Sequence, residues 1–222
     1  MSSIIIKEID DFNSKELEQT IRIYSGSFPP VETKPVDRVI QMLKNDDNYH
    51  LYVALENNFV VGFSLLYTFE FLGIGLLDYM AVVPQFQNQG LGTMIFRHTL
   101  AELQSQIKNL TGLLLEIQKE DAIDSIESIK RKNRIRFYAK LGVKVLADVH
   151  YLIPPQHGDE PEETYLMMVP LKKIESLSHD SVIRYIDAIY KQVYQYTNND
   201  LLAKINQFLP NVIRISNMAI TD

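Results

Sequence analysis

Apolar residues along this chain recur in two rhythms, and each rhythm predicts its own elements. Ile4 to Ile9 reads as a short strand. Asn13 is placed to cap a helix in which Leu17, Ile21, Tyr24 and Phe28 recur at helical spacing, and Pro29-Pro30 ends it. Pro35 suits the first turn of a second helix, whose apolar stripe is Val36, Val39, Ile40 and Leu43. His50 to Glu56 and Phe59 to Glu70 read as a hairpin around Asn57-Asn58. Gly73 and Gly75 turn the chain into a strand over Leu76 to Val82, which Pro84 ends. A helix carrying Ile95, Leu103 and Ile107 follows Gly92, and Thr111-Gly112 breaks it. Leu113 to Gln118 reads as a buried strand, and Ile129 to Leu141 as a helix that Gly142 stops. Val143 to His150 and Tyr165 to Val169 are the last expected strands. From Asp180 the pattern turns helical again, through Val182, Tyr185, Ile186, Ile189 and Val193, with a shorter helix over Leu201 to Phe208. The order predicts a mixed α/β domain with an antiparallel start.

Composition narrows the class. The chain has 222 residues, 46% hydrophobic and 23% charged, enough for one sizeable core with an extension. A formal net charge of -6 argues against general affinity for nucleic acid. Cysteine is absent, which excludes disulfides, thiolate nucleophiles and Cys-based metal sites. His50, His98, His150, His157 and His179 show no metal-ligand spacing, so no metal is expected. The N-terminus lacks the basic-then-apolar pattern of a leader, and no apolar run approaches the about 18 residues of a membrane span. A cytoplasmic protein without a membrane partner is the expectation.

The chemistry-bearing stretch is Val83 to Phe96, VPQFQNQGLGTMIF. Gly90 and Gly92 stand where a strand passes into a helix. A helix N-terminus presents unpaired N–H groups and a partial positive charge, and glycine lets the backbone approach a phosphate closely. Gln87-Asn88-Gln89-Gly90-Leu91-Gly92 therefore reads as a pyrophosphate cradle, or more plainly as a strand-to-helix turn. It is neither a Walker loop nor a dinucleotide fingerprint, because no Gly-Lys-Ser/Thr follows and the third glycine is missing.

Leu77 to Phe96 resembles the acetyl-CoA motif of the GNAT superfamily of N-acyltransferases. Met80-Ala81-Val82 matches its strand-end triplet, Pro84 its proline, and Gln87 to Gly92 its Q/R-x-x-G-x-G/A run. Phe137-Tyr138-Ala139-Lys140-Leu141-Gly142-Val143 resembles the family's F-Y-x-x-x-G-F helix end. Gln89 replaces a residue that is often basic, which leaves more of the cofactor binding to backbone N–H groups.

The resemblance covers about Ile4 to Val169. It implies a mostly antiparallel sheet flanked by helices over residues 1–172, with 173–222 as a helical C-terminal extension. It further implies acetyl transfer from acetyl-CoA, as cosubstrate, to an amine in a ternary complex. Met80, Ala81, Val82, Gln87, Asn88, Gln89, Gly90, Leu91, Gly92, Thr93 and Asn133 would hold acetyl-CoA, with a backbone N–H near Met80 to Val82 meeting the carbonyl oxygen. Tyr138 would be the acid that protonates the departing thiolate.

The base stays open. An alkylamine resembles lysine, with a pKa of about 10.4, and must lose a proton before it attacks. Glu116 interrupts the apolar strand LLLEIQ, Asp78 precedes the Met-Ala-Val triplet, and Glu32 lies in a loop among the first helices. The basic run Lys130 to Arg136 either meets CoA phosphates or forms a solvated face paired with Glu120, Asp121, Asp124 and Glu127. The acidic loop Asp159 to Glu163 suits a polyamine or an aminoglycoside-like cation, or only solvent. Tyr185, Ile189 and Tyr196 could line a homodimer contact. A second reading is a non-catalytic CoA-binding module whose extension contacts a partner; a third is transfer of a longer acyl chain.

Overall fold

A computed structural model describes residues 3–120, 125–156 and 160–218. The chain divides into two compact units, Met1–Phe71 with Gly75–Asn109, and Leu72–Ile74 with Leu110–Asp222. The boundary expected near residue 172 falls inside the second unit.

The first unit holds β1 (Ile5–Glu8), α1 (Lys15–Ser27), α2 (Val36–Asn45), β2 (Tyr49–Glu56), β3 (Phe59–Phe69), most of β4 (Ile74–Val82) and α3 (Leu91–Gln106). Its strands lie in the order β1-β2-β3-β4, with β1 and β3 both antiparallel to β2. The hairpin forms because Asn57 and Asn58 both take positive φ, at 49° and 65°, as a two-residue turn of the type I′ kind requires. The cap of α1 is Ser14 rather than Asn13; its hydroxyl accepts from the Leu17 N–H at 3.3 Å. Asn13 instead donates its own N–H to Asp11.

Helix α3 is tied to the sheet by Leu91 and Ile95, which cluster with Ala54 and Val61 and with the partly buried Met80, Val82 and Phe86. Gly62 makes that contact close. A Cβ there would stand 2.7 Å from Ile95 Cδ1 and 2.9 Å from the Ala81 carbonyl oxygen.

The second unit holds β5 (Gly112–Gln118), α4 (Ser125–Lys140), β6 (Lys144–Leu146), β7 (Tyr151–Ile153), β8 (Glu162–Pro170), β9 (Ser176–Ser178), α5 (His179–Ala188), α6 (Asp200–Phe208) and β10 (Val212–Ser216). Its strands run β5-β8-β6-β10-β9, and β7 also pairs with β8. Of the strand expected over Val143 to His150 only the three residues of β6 form; Asp148, at φ 62°, follows it, and β7 begins beyond His150. Helix α4 stops as its sequence predicts. Gly142, at φ 84°, donates its N–H to the Ala139 carbonyl at 3.0 Å, and Val143 donates to the Tyr138 carbonyl at 3.1 Å. That paired closure is a Schellman motif, with Tyr138 three positions inside the helix end.

Residues 173–218 are helical only in part. Strand β10 pairs with β6 and β9, and α5 runs into a π-helical turn, Ile189–Val193. Tyr185 and Ile189, considered for a dimer contact, are buried within this unit at 7% and 0% exposure. Short strands such as β9, of three residues, carry too few alternating positions to be read from the pattern. Among the described residues no helix is long and apolar enough to cross a membrane.

Replacing Gly62 with alanine is expected to destabilise the protein by about 1–3 kcal/mol, the usual range for overpacking. The Ile95 methyl can move, but the Ala81 carbonyl belongs to a strand. A urea midpoint equal to that of the wild type would show that α3 does not approach the sheet as closely as described.

Candidate active site

The strand-to-helix passage in the first unit is built by conformation rather than by side chains. Asn88 and Gly90 both take positive φ, 59° and 86°, so the loop curls before α3 begins. Successive N–H groups in such a curl point to a common concavity that suits an anion. Gly90 is the N-cap, and it brings no side-chain hydrogen bond to the helix. The first backbone bond of the helix runs from the Met94 N–H to the Gly90 carbonyl at 3.1 Å. The N–H groups of Leu91, Gly92 and Thr93 precede that bond and have no acceptor within the helix. Nothing lies within 4 Å of where a Gly90 Cβ would stand, and Gln87, Asn88, Gln89 and Gly90 are exposed.

The side chains of Gln87 and Gln89 brace the loop itself. Gln87 donates to the Val82 carbonyl at 2.9 Å, and Gln89 to the Gln85 carbonyl at 2.7 Å. Met80, Ala81 and Val82 are partly buried at the end of β4, Leu91 is buried, and Gly92 and Thr93 are partly buried in the first turn. The passage therefore has the donors, the room and the exposure that a phosphate-bearing ligand needs.

Asp78 lies on β4 in the same unit and serves another end. Its Oδ1 accepts from Lys34 Nζ at 2.6 Å and its Oδ2 from the Tyr49 hydroxyl at 2.6 Å. The Lys34 and Asp78 side chains are 0% and 1% exposed. Tyr24 donates to the Lys34 carbonyl at 3.0 Å, and Tyr79 accepts from the Lys34 N–H and donates to the Glu32 carbonyl, both at 3.1 Å. Burial, then the Asp78 charge, raises the Tyr49 and Tyr79 hydroxyls well above the ordinary tyrosine value. Asp78 thus anchors the segment that carries Glu32 and Lys34. A carboxylate sealed by an ammonium is poorly placed to take a substrate proton, so its expected role as base is not supported.

In the second unit Glu116 is the one position of β5 that is not buried. Tyr151, from β7, donates its hydroxyl to Glu116 Oε1, and Tyr194, just beyond the π-helical turn, donates to Oε2 at 2.7 Å. Tyr190 beside them donates to the Leu152 carbonyl.

Tyr138 is 6% exposed on α4, and burial raises its hydroxyl to about 12, partly offset by the Arg134 charge. Asn133 is exposed on the same helix. The basic run is engaged close at hand. Lys130 and Arg131 reach Glu127 at 3.5 and 3.7 Å, Arg131 also reaches Glu162 at 3.6 Å, and Arg134 donates to Gln118 Oε1 at 2.5 Å. Of the other acidic partners expected for it, Glu120 accepts from the Tyr165 hydroxyl, while Asp121 and Asp124 lie outside the described residues.

Two carboxylates of the acidic loop are likewise taken up. Glu163 meets Lys119 at 2.7 Å and His150 at 2.9 Å, and the Lys119 bond leads in lowering its pKa. Glu162 is pushed up by burial against the pull of Arg131. Asp159 and His157 lie outside the described residues. Among the described residues no group of three or more His, Asp or Glu could hold a metal ion.

Residues 47–145 match the family model described as the acetyltransferase (GNAT) domain. Over that segment the chain is similar to a GNAT acetyltransferase domain. The matched segment contains the curled loop, Glu116 and Tyr138. Solved structures agree on the GNAT fold. A GNAT-family protein from Bacteroides thetaiotaomicron superposes with a TM-score of 0.66 at 20% identity, covering 86% of this chain and 98% of its own. The ribosomal-protein-S18-alanine N-acetyltransferase of Escherichia coli gives 0.55 at 19% identity, covering 78% and 96%. NAA60 of Arabidopsis thaliana, solved in complex with acetyl-CoA, gives 0.55 at 14% identity, covering 76% and 99%. A comparison with curated proteins finds no match.

The sequence did not mark Lys34, Tyr49, Tyr151 or Tyr194 beside this GNAT domain's candidate residues. The one available signal was the density of tyrosine, 12 in the chain, with Tyr190, Tyr194 and Tyr196 within seven residues. Breaking the buried pair alone, by Lys34→Met or Asp78→Asn, is expected to cost about 3–5 kcal/mol, because each leaves an uncompensated partner. The double substitution Lys34→Met with Asp78→Leu is expected to recover most of that loss in a urea titration. Single variants with wild-type midpoints would refute the anchoring role.

Proposed function

We propose that this chain is an N-acetyltransferase that moves the acetyl group of acetyl-CoA to a primary amine by direct attack. The observation that carries the reading is the uncapped, exposed start of α3, with Gly90 leaving open space where a side chain would stand. The donors of Leu91, Gly92 and Thr93, together with the curl from Gln87 to Gly90, fit the pyrophosphate of CoA. The main chain of Met80, Ala81 and Val82 is assigned to the acetyl end. Asn133, exposed on α4, is the further residue assigned to CoA.

Bound acetyl-CoA supplies the acetyl thioester. The amine nitrogen forms the new bond to the acetyl carbon as the carbon–sulfur bond breaks. Glu116 takes the proton that the amine loses, directly or through one water, and passes it to solvent. Tyr138 gives its hydroxyl proton to the departing sulfur and regains one from solvent. Its raised pKa suits that role, because the hydroxyl keeps its proton through the range in which alkylamines are acetylated. The complex of NAA60 with acetyl-CoA supports the donor, and the name of the E. coli enzyme, which states an alanine acceptor, supports an amine.

Thiol release from acetyl-CoA should be followed with spermidine, an aminoglycoside and a peptide with a free N-terminus, for wild type and Tyr138→Phe. The variant is expected to lose about 10²- to 10⁴-fold in kcat while binding acetyl-CoA as tightly as the wild type. The rate that depends on Tyr138 is the rate of the protonated form. It should therefore hold through pH 10, the ordinary tyrosine value, and fall only as pH rises toward about 12. Absence of acetyl-CoA binding by calorimetry would refute the cradle. Tight binding without turnover of any amine would favour the CoA-binding module instead.

A further inference from the structure

Glu116 and Tyr194 are 78 residues apart in sequence, and their hydrogen bond brings the C-terminal segment to the carboxylate. The π-helical turn makes this possible. Its wider i→i+5 closure, from the Tyr194 N–H to the Ile189 carbonyl at 3.1 Å, adds a residue before the helix ends. Tyr190 sends its hydroxyl to the Leu152 carbonyl of β7, next to Tyr151, and Tyr194 sends its own to Glu116. Tyr194 is 7% exposed and Tyr151 fully buried, so neither phenol swings freely in solvent.

We propose that Tyr194, with Tyr151, is a positioning residue for Glu116: the C-terminal segment completes the reactive carboxylate, holding it ionised and in one orientation to receive a cationic amine. This rests on the acetyl-transfer reading above. O–H donors on a carboxylate favour its charged form, and a phenol on each oxygen fixes the plane of the group. The titratable groups that face Glu116 include Tyr151 from β7 and Tyr190 and Tyr194 from the C-terminal segment. On β5 the next residue of the same face is Gln118, held by Arg134 of α4. Residues 173–222 are thereby given a part in the acceptor side of the reaction, and the acceptor is a protonated alkylamine rather than a neutral aromatic one.

The test is a titration that needs no acceptor. The Glu116 carboxyl carbon is followed by NMR in full-length, 13C-glutamate-labelled protein, assigned with Glu116→Gln. Tyr194→Phe removes one donor and keeps the ring, so the Glu116 midpoint is expected to rise by about one pH unit. Tyr190→Phe removes a phenol bonded elsewhere and is expected to leave the midpoint at the wild-type value. The pH profile of kcat/KM for spermidine-dependent thiol release should then show its acid limb displaced upward in Tyr194→Phe by the same amount.

An unchanged midpoint in Tyr194→Phe overturns the proposal, and so does an equal rise in Tyr190→Phe, which would mark a general loosening. A midpoint that moves while the acid limb stays fixed also overturns it, since the reaction would then not use this carboxylate. If wild type turns over no amine, the acetyl-transfer reading fails on its own account, and the midpoint still decides whether the phenols hold the charge.

Discussion

A carboxylate taken out of bulk water must be given donors, and the two units of this chain meet that demand in different ways. Asp78 receives an ammonium and a phenol, and its side chain is closed off almost completely. What exposure the residue has lies on its main chain. Glu116 receives two phenols and keeps part of its residue surface in contact with solvent. Burial with an opposite charge makes an anchor, because removing either partner is costly and no third group can enter. Hydrogen bonding by neutral donors holds a carboxylate without a resident opposite charge to seal it. From sequence both residues were simply acids on apolar strands, and it is the kind of partner that separates them.

The two motifs of the GNAT resemblance have a common physical content, which is the treatment of helix ends. At the start of α3 the end is left without a side-chain cap, so its N–H groups point out of the protein's own bonding. At the end of α4 the closure is complete, with Gly142 and Val143 returning hydrogen bonds to Ala139 and Tyr138. The glycine in each motif permits a positive φ, yet the consequences are opposite. One leaves a helix terminus open to an anion, and the other locks the last turn that carries Tyr138. A side chain held by a closed turn keeps its direction, which the acid role proposed for Tyr138 requires.

The sequence was most legible where the physics is local. Asn57-Asn58 announced its own turn, and Gly142 announced the end of α4, because each acts through residues a few positions away. Glu116 stood out because a charge inside an apolar strand is uncommon and needs a reason. The partners of these groups were not legible. Tyr194 sits in an amphipathic run, where a tyrosine reads as packing, and nothing in the run reveals a π-helical turn or an acceptor on a distant strand. Lys34 carried no signal in the sequence, and only the fold shows that it is sealed against Asp78. The strands β9 and β10 were missed because three to five residues at the edge of a sheet carry little alternation. The basic run of α4 illustrates the converse. It could be read as a phosphate site or as a paired face, and Glu127, Glu162 and Gln118 engage its Arg131 and Arg134.

These assignments divide the reaction between parts that titrate and parts that do not. The cradle at α3 consists of backbone N–H groups, whose partial charge is the same at every pH at which the protein is folded. With Gln89 where a basic side chain often stands in the family, no titrating cation at that position adds to the cradle. Under the acetyl-transfer reading proposed above, pH dependence enters through the acceptor amine and the two side chains assigned to proton transfer, Glu116 and Tyr138. Tyr138 is moved out of the physiological range by burial. That leaves the amine and Glu116 as the proton-transfer groups on which the proposal turns, and phenols from β7 and the C-terminal segment bond directly to the one that belongs to the protein.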